Sequence, residues 1–160
     1  MLNIMPGITA FIRAAGIEPI ERLEQKGSAE RSAEKGKLRV LIVEDEPLAA
    51  RLMKECFDAR VGCETDVVAN GLAAIERLTY NQYALVISDV RMPECDGTEL
   101  YLWLVRTQPE MARRFVFVTG HADEKYFGFD LEKLGAPIVA KPFTVKQLLA
   151  TCERYLERMP

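Results

Sequence analysis

The stretch Tyr83–Asp89, YALVISD, followed at once by Val90–Gly97, VRMPECDG, decides the fold. A short, nearly unbroken apolar run rich in β-branched residues suits a strand buried on both faces of a parallel sheet. It ends on one carboxylate, Asp89, and Pro93 and Gly97 then call for a turn before the next helix. An Asp so placed stands at the C-terminal mouth of a parallel strand. Open α/β sheets bind ligands at that edge.

On both sides of this run, strand and helix periods alternate from Leu38 onward. The strand candidates are Leu38–Val43, Cys63–Ala69, Ala84–Ser88, Phe115–Thr119 and Pro137–Ala140. Helix candidates fall at 47–59, 71–80, 97–108, 122–134 and 144–158. Leu48, Leu52, Cys56 and Phe57 are expected on the inner face of the first helix. Val145, Leu148, Leu149, Cys152 and Leu156 take that place in the last. Repeated βα units with right-handed crossovers predict an α/β fold, a doubly wound five-stranded parallel sheet in the order 2-1-3-4-5.

Composition narrows the class. The chain has 160 residues, 49% hydrophobic and 28% charged, enough for one domain with a real core and a short appendage. A net charge of -3 argues against general binding to nucleic acid or an anionic membrane. No apolar run is long enough to span a bilayer, and the first residues, MLNIMPGITAFIRAAG, make a poor signal peptide. Cys56, Cys63, Cys95 and Cys152 form no C-x-x-C pair and there is one histidine, so a zinc site is not expected. Reduced thiols in a cytoplasmic protein are the expectation.

Residues 1–37 differ from the rest. Ile8, Phe11, Ile12 and Ala15 repeat at helical spacing before Gly16, and EQKGSAERSAEKGK then mixes small residues with both charges. This segment reads as an extension or linker with short helical pieces, followed by a domain over 38–160.

Three further strand ends carry chemistry. The first strand runs into Glu44, Asp45 and Glu46, the fourth ends on Thr119 before Gly120, and the fifth runs into Lys141 before Pro142. Asp45 and Asp89 end strands expected to be neighbours, where two carboxylates repel unless a cation lies between them. Mg²⁺ meets that need with hard oxygen ligands and retained waters. Glu44 adds charge, through a water, whereas Glu46 is read as a cap of the next helix. The Thr119 hydroxyl can donate to a phosphoryl oxygen, and the Lys141 ammonium can pair with Asp89 or with a phosphoryl group on it. Pro142 allows a cis peptide that would aim Lys141 inward.

The motifs VLIVEDE, LVISDVRMPECDG, FVTG and AKPF, in this order and spacing, resemble the receiver domains of two-component response regulators, over about residues 38–158. The resemblance implies a flavodoxin-like receiver fold with Asp89 as phosphoacceptor, Thr119 as switch hydroxyl and Lys141 as active-site lysine. It implies Mg²⁺ held by Glu44, Asp45, Asp89 and the main-chain carbonyl of Arg91, with Asp45 a direct ligand. It also implies a phosphorylation switch that assists its own phosphorylation and dephosphorylation without being an enzyme. The donor would be a histidine kinase or histidine phosphotransfer protein, with output by protein contact or onward phosphotransfer. FVFVTG with APIVAKPF further resembles receivers attached to hybrid histidine kinases. Arg91 and His121, two positions beyond Asp89 and Thr119, match positions that tune acyl-phosphate hydrolysis in similar receivers.

One position departs from that pattern. Three residues before Lys141, where many receivers carry Tyr or Phe, stands Ile138. The expected consequence is that phosphorylation reorders Thr119–Asp123 more than it repacks the fifth strand, with an output surface near the start of the fourth helix. Two rival functions remain open. A phosphate-independent interaction module would bind its partner equally well after Asp89→Asn. A haloacid-dehalogenase-type phosphatase would carry a second acid two residues after its nucleophile, where this chain has Arg91.

Overall fold

The computed structural model describes residues 37–60, 62–120, 125–126 and 129–156, which belong to one unit, Lys37–Pro160. The extension expected over residues 1–37 lies outside them, Lys37 excepted, as do His121 and Asp123. Strands β1 (Leu38–Val43), β2 (Cys63–Val68), β3 (Leu85–Asp89), β4 (Phe115–Thr119) and β7 (Ile138–Ala140) form a parallel sheet in the order β2-β1-β3-β4-β7. This is the expected 2-1-3-4-5 doubly wound topology, with strand limits within one residue of those read from the sequence. Helices α1 (Pro47–Asp58), α2 (Gly71–Tyr80), α3 (Gly97–Thr107) and α5 (Val145–Leu156) follow four of the strands. A four-residue helix, α4 (Pro109–Ala112), was not anticipated; Pro109 at its first position suits a helix start.

Strand residues alternate between the two faces of the sheet. Val40, Ile42, Leu85, Ile87, Val116 and Val118 pack with Met53 and Phe57 of α1 and with Leu148 and Cys152 of α5. Phe115 and Phe117, one register away, meet the Tyr101 ring of α3 at centroid distances of 5.2 and 5.4 Å. The central strands β3 and β4 are therefore buried on both faces, as their unbroken apolar runs require.

Two expectations need correction. The inner face of α1 is Ala50, Met53 and Phe57, whereas Leu48 and Leu52 are 63% and 56% exposed. The helix is apolar on two stripes, and periodicity alone does not say which one meets the sheet. On α5 the same holds for Val145, 53% exposed beside the buried Leu148, Cys152 and Leu156.

The second correction concerns 122–134, read as a helix. Its described part is a two-stranded antiparallel ladder, β5 (Lys125–Tyr126) with β6 (Phe129–Asp130), followed by a 3₁₀ turn at Leu131–Leu134. Aromatic residues at 126, 127 and 129 around Gly128 favour strands over helix, and this preference outweighs the apolar spacing. The expected start of that helix, and the output surface placed there, fall on residues 121–124, outside the described ones.

Candidate functional site

The site is built at the C-terminal ends of β1, β3, β4 and β7. Glu44 follows β1 directly, and its amide bonds the Val68 carbonyl at 3.0 Å, prolonging the sheet. Its side chain is 1% exposed. One carboxylate oxygen accepts from the Glu46 amide at 3.1 Å and the other from Lys141 Nζ at 2.7 Å. Asp45, next in sequence, is exposed. Glu46 caps α1, accepting from the Leu48 and Ala49 amides at 3.0 and 2.7 Å, as read from the sequence.

Asp89 ends β3 and is 8% exposed. Its Oδ1 accepts from the Val90 amide at 2.9 Å and lies 3.6 Å from Lys141 Nζ. Oxygens of Glu44, Asp45 and Asp89 all lie within 4.8 Å of one another. Burial, and then the Glu44 charge, push the Asp89 carboxyl up to about 6, against the pull of Lys141 and the Val90 amide; Asp45 adds to the rise. Burial opposes the Lys141 ammonium, yet its hydrogen bond to Glu44 and the charges of Asp89 and Glu44 raise its pKa. A further positive charge among the acids would relieve the repulsion that Glu44 and Asp45 exert on Asp89.

Thr119 ends β4, 1% exposed, and its carbonyl accepts from the Lys141 amide at 2.8 Å. That bond carries the β4–β7 pairing past Thr119↔Ala140 and brings Lys141 to the acids. The Lys141–Pro142 peptide is cis. A side chain at Gly120 would meet nothing within 4 Å, so space is open beside Thr119. Arg91, two residues after Asp89, is exposed at the start of the following connection.

Glu44, Asp45, Asp89 and Lys141 therefore meet at one edge, and backbone pairing seats Thr119 next to them. Sequence reasoning paired Lys141 with Asp89, but the shorter contact is to Glu44. The sequence marks Gly97 as a turn former, and the structure gives it a second part. A Cβ there would lie 2.3 Å from the Asp89 carbonyl oxygen, so α3 starts against the backbone of the acceptor itself. The Asn70-Gly71 pair, a cap followed by a small residue, is a further signal in the sequence. Asn70 caps α2, and the Gly71 amide reaches the Cys95 carbonyl at 2.9 Å. Burial, then the charges of Glu99 and Asp96, push the Cys95 thiol up to about 12, which sets it apart from reactive thiols.

Residues 40–153 match the family model of the response regulator receiver domain. The chain is similar to the sensor kinase CckA of Brucella abortus, 32% identical over 134 residues; the match covers 77% of this chain and 13% of that protein. It is 28% identical over 118 residues to the response regulator receiver protein CpdR of the same organism, covering 74% of this chain and 96% of CpdR. Among solved structures, a sensor protein from Polaromonas sp. JS666 superposes with a TM-score of 0.66 at 28% identity, covering 78% of this chain and 99% of that one. The two matches cover similar shares of this chain, 77% and 74%, but 13% of the kinase and 96% of the regulator. With the sheet order, the clustered acids and the family match over most of its length, the chain belongs to the response regulator receiver domain family.

Proposed function

We propose that residues 38–160 act as a phosphoacceptor switch in a two-component phosphorelay, preceded by an extension over 1–37. Asp89 receives a phosphoryl group from the phosphohistidine of a histidine kinase or phosphotransfer protein. The observation that carries this reading is the buried Asp89 carboxylate, set 3.6 Å from Lys141 Nζ with two more acids around it. Three carboxylates sharing one ammonium form a hard-oxygen donor set that fits Mg²⁺. Glu44, Asp45, Asp89 and the Arg91 carbonyl would hold the ion, which supplies positive charge to the phosphoryl oxygens.

The chain's own groups do the rest. An ionised Asp89 oxygen attacks phosphorus in line. A P–O bond forms, the P–N bond breaks, and the electron pair leaves with the imidazole nitrogen. The protein contributes positioning and charge stabilisation rather than covalent help. Lys141 can turn from Glu44 toward the new phosphoryl charge, and the Thr119 hydroxyl can donate to one of its oxygens. Those contacts exist only in the phosphorylated form, so they bias a pre-existing equilibrium between conformations. Output then passes by protein contact or onward phosphotransfer.

Acetyl phosphate with Mg²⁺ is expected to add one phosphoryl group to the full chain, seen by intact mass, and none to Asp89→Asn. Undiminished labelling of that variant would remove Asp89 from the role. Partner capture that is indifferent to phosphorylation would favour a phosphate-independent module instead.

A further inference from the structure

We propose that Asn70 and Glu94 form a latch that positions the arch carrying the Arg91 carbonyl, and so sets how tightly the acidic cluster holds its cation. This role follows from the Mg²⁺-dependent acceptor reading of the site. The connection from Asp89 to α3 closes on itself through the Gly97 amide, which bonds the Val90 carbonyl at 2.9 Å, and through the Cys95 amide, which bonds the Pro93 carbonyl at 2.8 Å. Two bonds tie it to the start of α2. The Gly71 amide donates to the Cys95 carbonyl at 2.9 Å, and Asn70 Nδ2 donates to Glu94 Oε2 at 3.0 Å. The approach is close: a Cβ on Gly71 would lie 2.5 Å from Cys95 Sγ.

Glu94 is the one described non-glycine residue with positive φ, at 69°. A residue with a Cβ stays in that region only where its surroundings hold it there, and such positions cluster at functional sites. Here the Cys95 amide closes a turn across Glu94 onto the Pro93 carbonyl at 2.8 Å, and the Asn70 amide ties the Glu94 side chain of that turn to α2 at 3.0 Å. Glu94 lies three positions after Arg91, so a rotation of its backbone tilts the limb that bears the Arg91 carbonyl. Asn70 does two jobs with two atoms. Its Oδ1 accepts from the Ala73 amide at 2.8 Å and caps α2, and its Nδ2 tethers Glu94. An Asp at 70 would cap as well but cannot donate. Asn70 and Glu94 are therefore positioning residues, distinct from the groups that touch cation or phosphoryl.

The test measures Mg²⁺ affinity of the full chain by calorimetry. Asn70→Asp is expected to bind Mg²⁺ about fivefold more weakly, the scale of one lost exposed hydrogen bond. Its added negative charge alone would tighten binding, so the latch and simple electrostatics predict opposite signs. Glu94→Gln keeps an acceptor and should stay within about twofold of wild type. In N70D/E94Q the Gln amide can donate to the Asp carboxylate, so affinity should return. At saturating Mg²⁺, acetyl phosphate labelling of Asn70→Asp should reach the wild-type rate. If Asn70→Asp unfolds, Glu94→Ala breaks the tether without touching the cap and should show the same weakening relative to Glu94→Gln. Wild-type or tighter affinity in Asn70→Asp, with Asp89 still labelled, would overturn the latch and leave the acceptor reading standing. No Mg²⁺ affinity in the wild type would overturn both.

Discussion

The connections after β3 and β4 are built differently in their described residues. After β3, residues 90–96 are fastened at nearly every step: to β4 through the Val90 amide, to themselves through Gly97 and Cys95, and to α2 through Cys95 and Glu94. After β4, the described residues of the connection hold a ladder of two residue pairs and a 3₁₀ turn. One loop follows Asp89, which under the proposed function presents its carboxylate beside Lys141. The other follows Thr119, whose hydroxyl would have to move to meet a new phosphoryl oxygen. Among the described residues, the first connection is tied through its own backbone and the start of α2, whereas the second is tied to α3 through the Tyr101 hydroxyl, which donates to the Leu134 carbonyl at 2.9 Å, and through the buried Leu131.

The most severe break of this contrast is Gly97→Ala. The added Cβ would meet the Asp89 carbonyl oxygen at 2.3 Å and Ser88 Oγ at 3.1 Å, with backbone on one side and a buried strand beneath. A loss of about 2–3 kcal/mol in unfolding free energy is expected from urea titration, with slowed labelling of Asp89. Hydrogen exchange sharpens the contrast from the other side. The Gly71 and Gly97 amides, each bonded at 2.9 Å, should exchange at least about tenfold more slowly than those of Lys125–Tyr126 and Phe129–Asp130. Equal protection would mean that the second connection is as firmly held as the first. Gly120→Ala should have the smallest effect. A Cβ there meets nothing within 4 Å, so stability is expected to stay within about 0.5 kcal/mol of wild type.

Much of this was legible in the sequence because strands buried on both faces leave a strong mark. RVLIV and FVFVT admit few other readings, and the acids, Thr119 and Lys141 follow from where such strands end. The errors have physical causes. KYFGFD has helical apolar spacing and strand-forming aromatics at once, and spacing does not arbitrate between them. In α1, Leu48 and Leu52 compete with Ala50 and Met53 for the inward face beside Phe57, and only packing resolves which stripe is buried. The pairing of Lys141 with Glu44 depends on side-chain reach across strand ends, which no periodicity encodes. The tether from Asn70 to Glu94 joins residues 24 apart through single atoms, so it leaves no pattern at all.

The central claim is that one carboxylate, held by its strand and its loop, takes the phosphoryl group. Borohydride reduction after treatment with acetyl phosphate and Mg²⁺ converts an acyl phosphate to an alcohol and so marks the acceptor permanently. Peptide mass mapping of the wild-type chain should place homoserine at position 89 alone. Reduction products at Asp45, Glu44 or any other acid, with Asp89 unmodified in a chain that carries phosphate, would contradict it.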